Sequence, residues 1–135
     1  MTNEINDILL ERFGKDSLIT IATAVDNIPY CRTVNGYYCD GSFYVITYAL
    51  SNKMQQIQKN NNICISGEWF TGHAKGINLG YFCKKENEEI AQKLKKAFSS
   101  WIDNGHNNFD DENTIILKLV LTSGTLFSLG RRFDF

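Results

Sequence analysis

The stretch YCRTVNGYYCDGSFYVITY, residues 30 to 48, constrains the fold most. Two runs of aromatic and β-branched residues flank Asp40-Gly41, a pair suited to the positive φ angles of a two-residue hairpin turn. The spacing predicts two antiparallel strands there. SLITIATAV, residues 17 to 25, reads as a preceding strand, closed by Asp26-Asn27 with Pro29 just beyond. NICISGEWFTGHAKGINLGYFC, 62 to 83, reads as two more strands punctuated by Gly67, Gly72, Gly76 and Gly80. TIILKLVLTSGTLFSL, from 114, supplies one bent strand or two short ones.

Helical periodicity is confined to three places. Ile5, Ile8, Leu9 and Phe13 share one face of a lead-in helix that stops at Gly14. A short helix follows Ser51, with Met54 and Ile57 on one face. Residues 86 to 102 carry Ile90, Leu94, Ala97, Phe98, Trp101 and Ile102 on one face, with Glu86, Glu88 and Glu89 ahead of Lys93, Lys95 and Lys96. About six strands with so few helices between them predict a mainly β fold: a six-stranded antiparallel barrel with helices packed outside. At 135 residues, the chain reads as a single domain, 1 to 135.

The net charge of -1 gives no general attraction to nucleic acid or to anionic membrane, so any anion site must be local. No apolar run is long enough to span a bilayer, and the N-terminus MTNEINDILLERFG has acids where a secretion signal would carry bases, so the cytoplasm is the expected compartment. Cys31, Cys39, Cys64 and Cys83 stand singly, which favours reduced thiols over zinc ligands. Neither G-x-S-x-G nor the two common glycine-rich phosphate loops occurs, and His73 and His106 have no partners at catalytic spacing.

One charge is out of place. Lys53 sits in the first turn of the short helix, where the dipole already carries about half a positive charge and a cation costs about 0.3 to 1 kcal/mol. Either it is a solvated surface residue, or it belongs to a phosphate cradle with Thr47, Ser51 and the free N–H groups of the first turn. Arg32, on the same strand face as Tyr30 and Val34, offers a second cation if strands two and three bring it to that helix. Arg131 and Arg132 read as a solvated tail or as closers of the site from the C-terminus.

The order IATAVDNIPYCRTV, Asp-Gly turn, FYVITYALSNKMQQIQKNNNICIS and TGHAKG resembles the pyridoxamine 5'-phosphate oxidase-like FMN-binding split-barrel family, over about residues 5 to 83. Its most specific element is T-x-x-x-S-x-K, Thr47 to Lys53, downstream of R-T-V. The resemblance implies FMN as cofactor, with Arg32, Thr33, Val34, Ile46, Thr47, Ser51, Asn52 and Lys53 as contacts. Asn52 stands where many members have arginine. It also implies a homodimer with FMN at the interface, Trp69 of the second subunit being a candidate cover. Tyr37 occupies the place of a lysine found in members that oxidise pyridoxamine phosphate, which sets this chain apart from that activity. The implied function is a flavin-dependent oxidoreductase taking a small substrate and an electron donor; the alternative is a flavin, deazaflavin or haem binding or sensing module without turnover.

Overall fold

A computed structural model describes residues 1 to 135. Helix α1 (Asn3–Phe13) leads into β1 (Ser17–Val25), β2 (Ile28–Cys39) and β3 (Ser42–Tyr48). Then come α2 (Asn52–Lys59), β4 (Asn62–Gly67), β5 (Phe70–Tyr81), α3 (Glu88–Ala97), β6 (Thr114–Ser128) and β7 (Arg131–Asp134). The sheet order is β3-β2-β1-β4-β5-β6-β7, and β3 also pairs with β6. That last pairing closes six strands into an antiparallel barrel, as the sequence predicts. Closure removes the two open edges that a six-stranded sheet would otherwise present.

The expected hairpin forms at Asp40-Gly41, where both residues have positive φ, 46° and 85°. Its pairing is short. Only Tyr37, Tyr38 and Cys39 pair with Tyr44, Phe43 and Ser42; beyond Tyr44, β3 keeps only its pairing with β6, which runs from Ser42 opposite Val120 to Tyr48 opposite Thr114. The barrel is therefore split between β2 and β3, and the chain leaving β3 enters α2 beside the gap.

Two apolar clusters hold the fold. Inside the barrel, Ile19, Ile21, Phe43, Val45, Ile65 and Leu117 pack with Leu9 and Phe13 of α1. The Phe43 ring meets Phe13 at 5.4 Å, Tyr38 at 5.3 Å and Phe70 at 6.0 Å between centroids. Outside it, Leu94 and Phe98 bury against Ile116 and Phe82, with Tyr37, Tyr44 and Ile46 alongside. Gly36 permits the close approach of β1 and β2: a Cβ there would lie 2.7 Å from Ile19 Cδ1.

Two expectations change, and one open choice is decided. The helix predicted over 86 to 102 is a 3₁₀ turn (Lys85–Asn87) followed by α3, which ends at Ala97. Phe98 leaves helical geometry (φ -98°, ψ 17°), although a bond from Ile102 N to Phe98 O (2.8 Å) keeps Ile102 in the apolar cluster. The segment from 114 is one strand, and its pairing with β5 shifts register beside His73 and Asn78. The C-terminal arginines lie in a seventh strand: β7 pairs with β6, Arg131 bonds Glu4 at 3.1 Å and Arg132 bonds Asp134 at 3.1 Å.

Phe43 is fully buried at the contact of the barrel core with α1. Phe43→Ala should cost about 3 to 5 kcal/mol of stability, read as a lower urea midpoint with the slope unchanged.

Candidate functional site

On β2, alternation sends Tyr38, Gly36, Val34 and Arg32 toward the barrel interior. Val34 packs on the core, but Arg32 lies farther along the strand, opposite Ile21, toward the end where β3 has left β2. Its guanidinium finds neutral partners. One nitrogen donates to Thr23 Oγ1 at 2.9 Å and the other to Gln56 Oε1 at 2.6 Å, while the Thr23 hydroxyl donates to the same Gln56 oxygen at 2.7 Å. Two of the five N–H donors of Arg32 are thereby used, and its charge has no carboxylate beside it. Burial lowers the basicity of Arg32 from its ordinary value.

Helix α2 brings Gln56 to this place and Lys53 with it. Residues three apart share a helix face, with Cβ atoms about 5 to 6 Å apart, so the Lys53 amine borders the guanidinium that Gln56 holds. Lys53 is half-buried, and its pKa falls from 10.5 to about 8, first because burial removes water from the ammonium and second because Arg32 repels it. No acid offsets either cation, since the ion pairs of the chain, Arg131 with Glu4 and Arg132 with Asp134, both involve β7.

Ser51 caps α2, its hydroxyl accepting from Met54 N at 3.2 Å. The N–H groups of Asn52 and Lys53 have no intrahelical acceptor and face outward from the helix start. Four features therefore meet at one end of the barrel: a fixed guanidinium, a half-buried amine, two free N–H groups and the positive end of a helix dipole. Such an array is chemically suited to an anion, and to a doubly charged one best.

The remaining candidates distribute unevenly. Thr47 continues the inward row of Phe43 and Val45 at the end of β3, and its hydroxyl takes no part in the Arg32 hydrogen bonds. Ile46 faces the other way and packs in the cluster under α3. Thr33 points outward, 3.5 Å from the Thr20 hydroxyl. Asn52 is exposed in the first turn of α2. Trp69 lies in the β4–β5 turn, 69% exposed, against Phe127 and beside Arg12, apart from the Arg32 cluster of its own chain. Thr23 and Gln56 are additions that the sequence reading did not include. Gln56 stands one turn after Lys53 on the same helix face, a position that by itself gives a neutral glutamine no signal. A cleft of about 590 Å³ opens on the other flank of α2 between Met54, Ile57, Asn61 and Asn78, and includes neither cation.

The Lys53 shift has a definite sign. A base whose folded pKa lies below its unfolded one costs stability while it is protonated, and stability rises as pH climbs from about 8 to 10.5, where only the unfolded chain holds the proton. Lys53→Met should therefore raise the melting temperature of the ligand-free protein at pH 7, and the gain should shrink as pH passes through that window in a calorimetric series.

No protein-family model and no curated protein matches the sequence. Solved structures match the fold. A FAD-binding protein from Mesorhizobium loti aligns with a TM-score of 0.69 and 11% identity, covering 92% of either chain. A protein of the pyridoxinephosphate oxidase family from Clostridium acetobutylicum, related to general stress protein 26, aligns at 0.66 and 15% identity, covering 98% of this chain and 91% of its own. A heme-binding protein from Mycobacterium smegmatis aligns at 0.67 and 12% identity, over 90% of this chain and 53% of its own. The fold is the split barrel of the pyridoxamine 5'-phosphate oxidase-like proteins.

Proposed function

We propose that the chain binds FMN and works as a flavin-dependent oxidoreductase on a small substrate with a separate electron donor. The observation that carries this reading is the pair Arg32 and Lys53, two cations meeting at a helix start with no acid to neutralise them. A pair of that kind is destabilising until an anion arrives, and the phosphate of FMN supplies two negative charges. Lys53 and Arg32 would hold the phosphate with the N–H groups of Asn52 and Lys53; Ser51 shapes the turn, and Thr47 stands at the adjacent strand end. Thr23 and Gln56 keep the guanidinium aimed. Bound flavin supplies the redox chemistry, and the protein contributes position and charge.

Two neighbours, one FAD-binding and one heme-binding, support a flat anionic cofactor in this fold. The donor set favours flavin over haem: haem iron takes an axial side chain, and the Arg32 cluster contains no histidine, while His73 sits beside Ser123 on the outer sheet face.

The second subunit has a natural seat. Across β2, β1, β4, β5 and β6 the outward residues form the rows Thr33, Thr20, Ser66, Thr71, Thr125 and Cys31, Ala22, Cys64, His73, Ser123. The β2, β1 and β4 members are uncharged, and Leu18 (68% exposed) and Ile28 (54%) flank them. An antiparallel sheet face turned to water ordinarily carries charge, so this face suits a second copy of the chain, with FMN at the junction and Trp69 of the other subunit as a cover. Ala22→Arg should convert a dimer to a monomer in sedimentation velocity.

Purified protein should show flavin absorbance, and the oxidoreductase reading requires that NADH or NADPH bleach it without oxygen. Retained flavin that no reductant bleaches would favour the binding module. Lys53→Ala should weaken FMN binding by about 1.5 to 3 kcal/mol, measured by quenching of flavin fluorescence.

A further inference from the structure

The amine that makes the anion cradle has a second chemical capacity. Lys53 Nζ is half-buried in the first turn of α2, and the charged and titratable group facing it is Arg32 from β2; Thr23 from β1 and Gln56 and Ser51 from its own segment are neutral. A half-buried cation that Arg32 repels is destabilised relative to an exposed one, so a minor fraction of Nζ carries a lone pair near neutral pH. Desolvation together with a neighbouring cation is the arrangement that turns a lysine into a nucleophile toward carbonyl groups. Here that cation is also the docking group for an anion, since three of the N–H donors of Arg32 are unused.

We propose that the cradle, when it holds no phosphate, captures small aldehydes that bear an anionic group, joining them to Lys53 as an imine. This rests on the reading of Arg32 and Lys53 as an anion site, and goes beyond it in assigning covalent chemistry to the amine. The anionic group of the aldehyde lies on Arg32 and the free N–H groups of α2, which sets its carbonyl carbon beside Nζ. The amine lone pair adds to that carbon, forming the C–N bond, and the carbonyl oxygen takes up a proton to give a carbinolamine. Loss of water, with a proton released from nitrogen, leaves C=N. No oxidant or reductant takes part, and water reverses the reaction. A phosphate already in the cradle occupies the docking groups and keeps Nζ protonated, so cofactor binding and capture exclude one another.

The test uses glyoxylate on flavin-free full-length protein, with cyanoborohydride to fix the imine and peptide mass analysis to locate the label among all lysines. Lys53 should carry at least about ten times the mean label of the other nine lysines, the scale of electrostatic focusing in a site of one charge sign. Glycolaldehyde, which is neutral, should lose that preference, as should glyoxylate on Arg32→Gln protein shown by circular dichroism to be folded. Saturating inorganic phosphate should protect Lys53. Labelling of Lys53 by glyoxylate no greater than that of exposed Lys59 in the wild-type chain would overturn the capture, as would equal preference with glycolaldehyde. A separate FMN titration distinguishes the two claims. FMN binding with an unlabelled Lys53 removes only the covalent chemistry; selective labelling without FMN binding keeps the capture and removes the flavin.

Discussion

Strand β3 pairs with β6 along its whole length, Ser42 to Tyr48, but with β2 only over its first three residues. The rest of the molecule depends on that unequal pairing. It closes the barrel, so no open edge is left between β3 and β6, and it leaves β2 unpaired on one side at the level of Arg32. Helix α2 follows β3 directly and lies against β1 and β2 there, tied by Gln56 to Thr23 and Arg32 and by Asn60 Nδ2 to Ala24 O at 3.0 Å. The position of the cradle is thus a consequence of how the barrel closes.

The cradle itself is built against stability. A lysine at a helix start opposes the dipole, its partial burial opposes its charge, and a guanidinium beside it opposes both. Natural chains usually place acids in such first turns, and α3 of this chain does so with Glu88 and Glu89. The contrast within one molecule supports the proposal that the start of α2 is fitted to a ligand. Neutral Thr23 and Gln56 serve Arg32 better than a carboxylate would, because they fix its direction without consuming its charge.

Much of this was legible in the residues. Asp40-Gly41 announced its hairpin, Ser51 its cap, and the strand runs their antiparallel barrel. The split between β2 and β3 was not, because both strands read as long and apolar and nothing local shows where their pairing stops. The convergence of Arg32 on α2 was expected through a long hairpin; in the structure Gln56 makes the connection, and a neutral glutamine on a polar helix face carries no signal until the strand beneath it is known. Strand β7 is hidden in the sequence for a different reason. Its turn places Leu129 at φ 50°, a conformation that leucine rarely adopts, so the segment before Arg131 did not read as a tight turn.

The central claim is that this end of the barrel recognises a phosphate. Comparing FMN with riboflavin, which shares the ring and ribityl chain and lacks the phosphate, isolates that contact in titrations of the wild-type protein. The account predicts that FMN binds at least about a hundredfold more tightly, the scale of two charge-assisted hydrogen bonds. Equal affinity for the two flavins would contradict it.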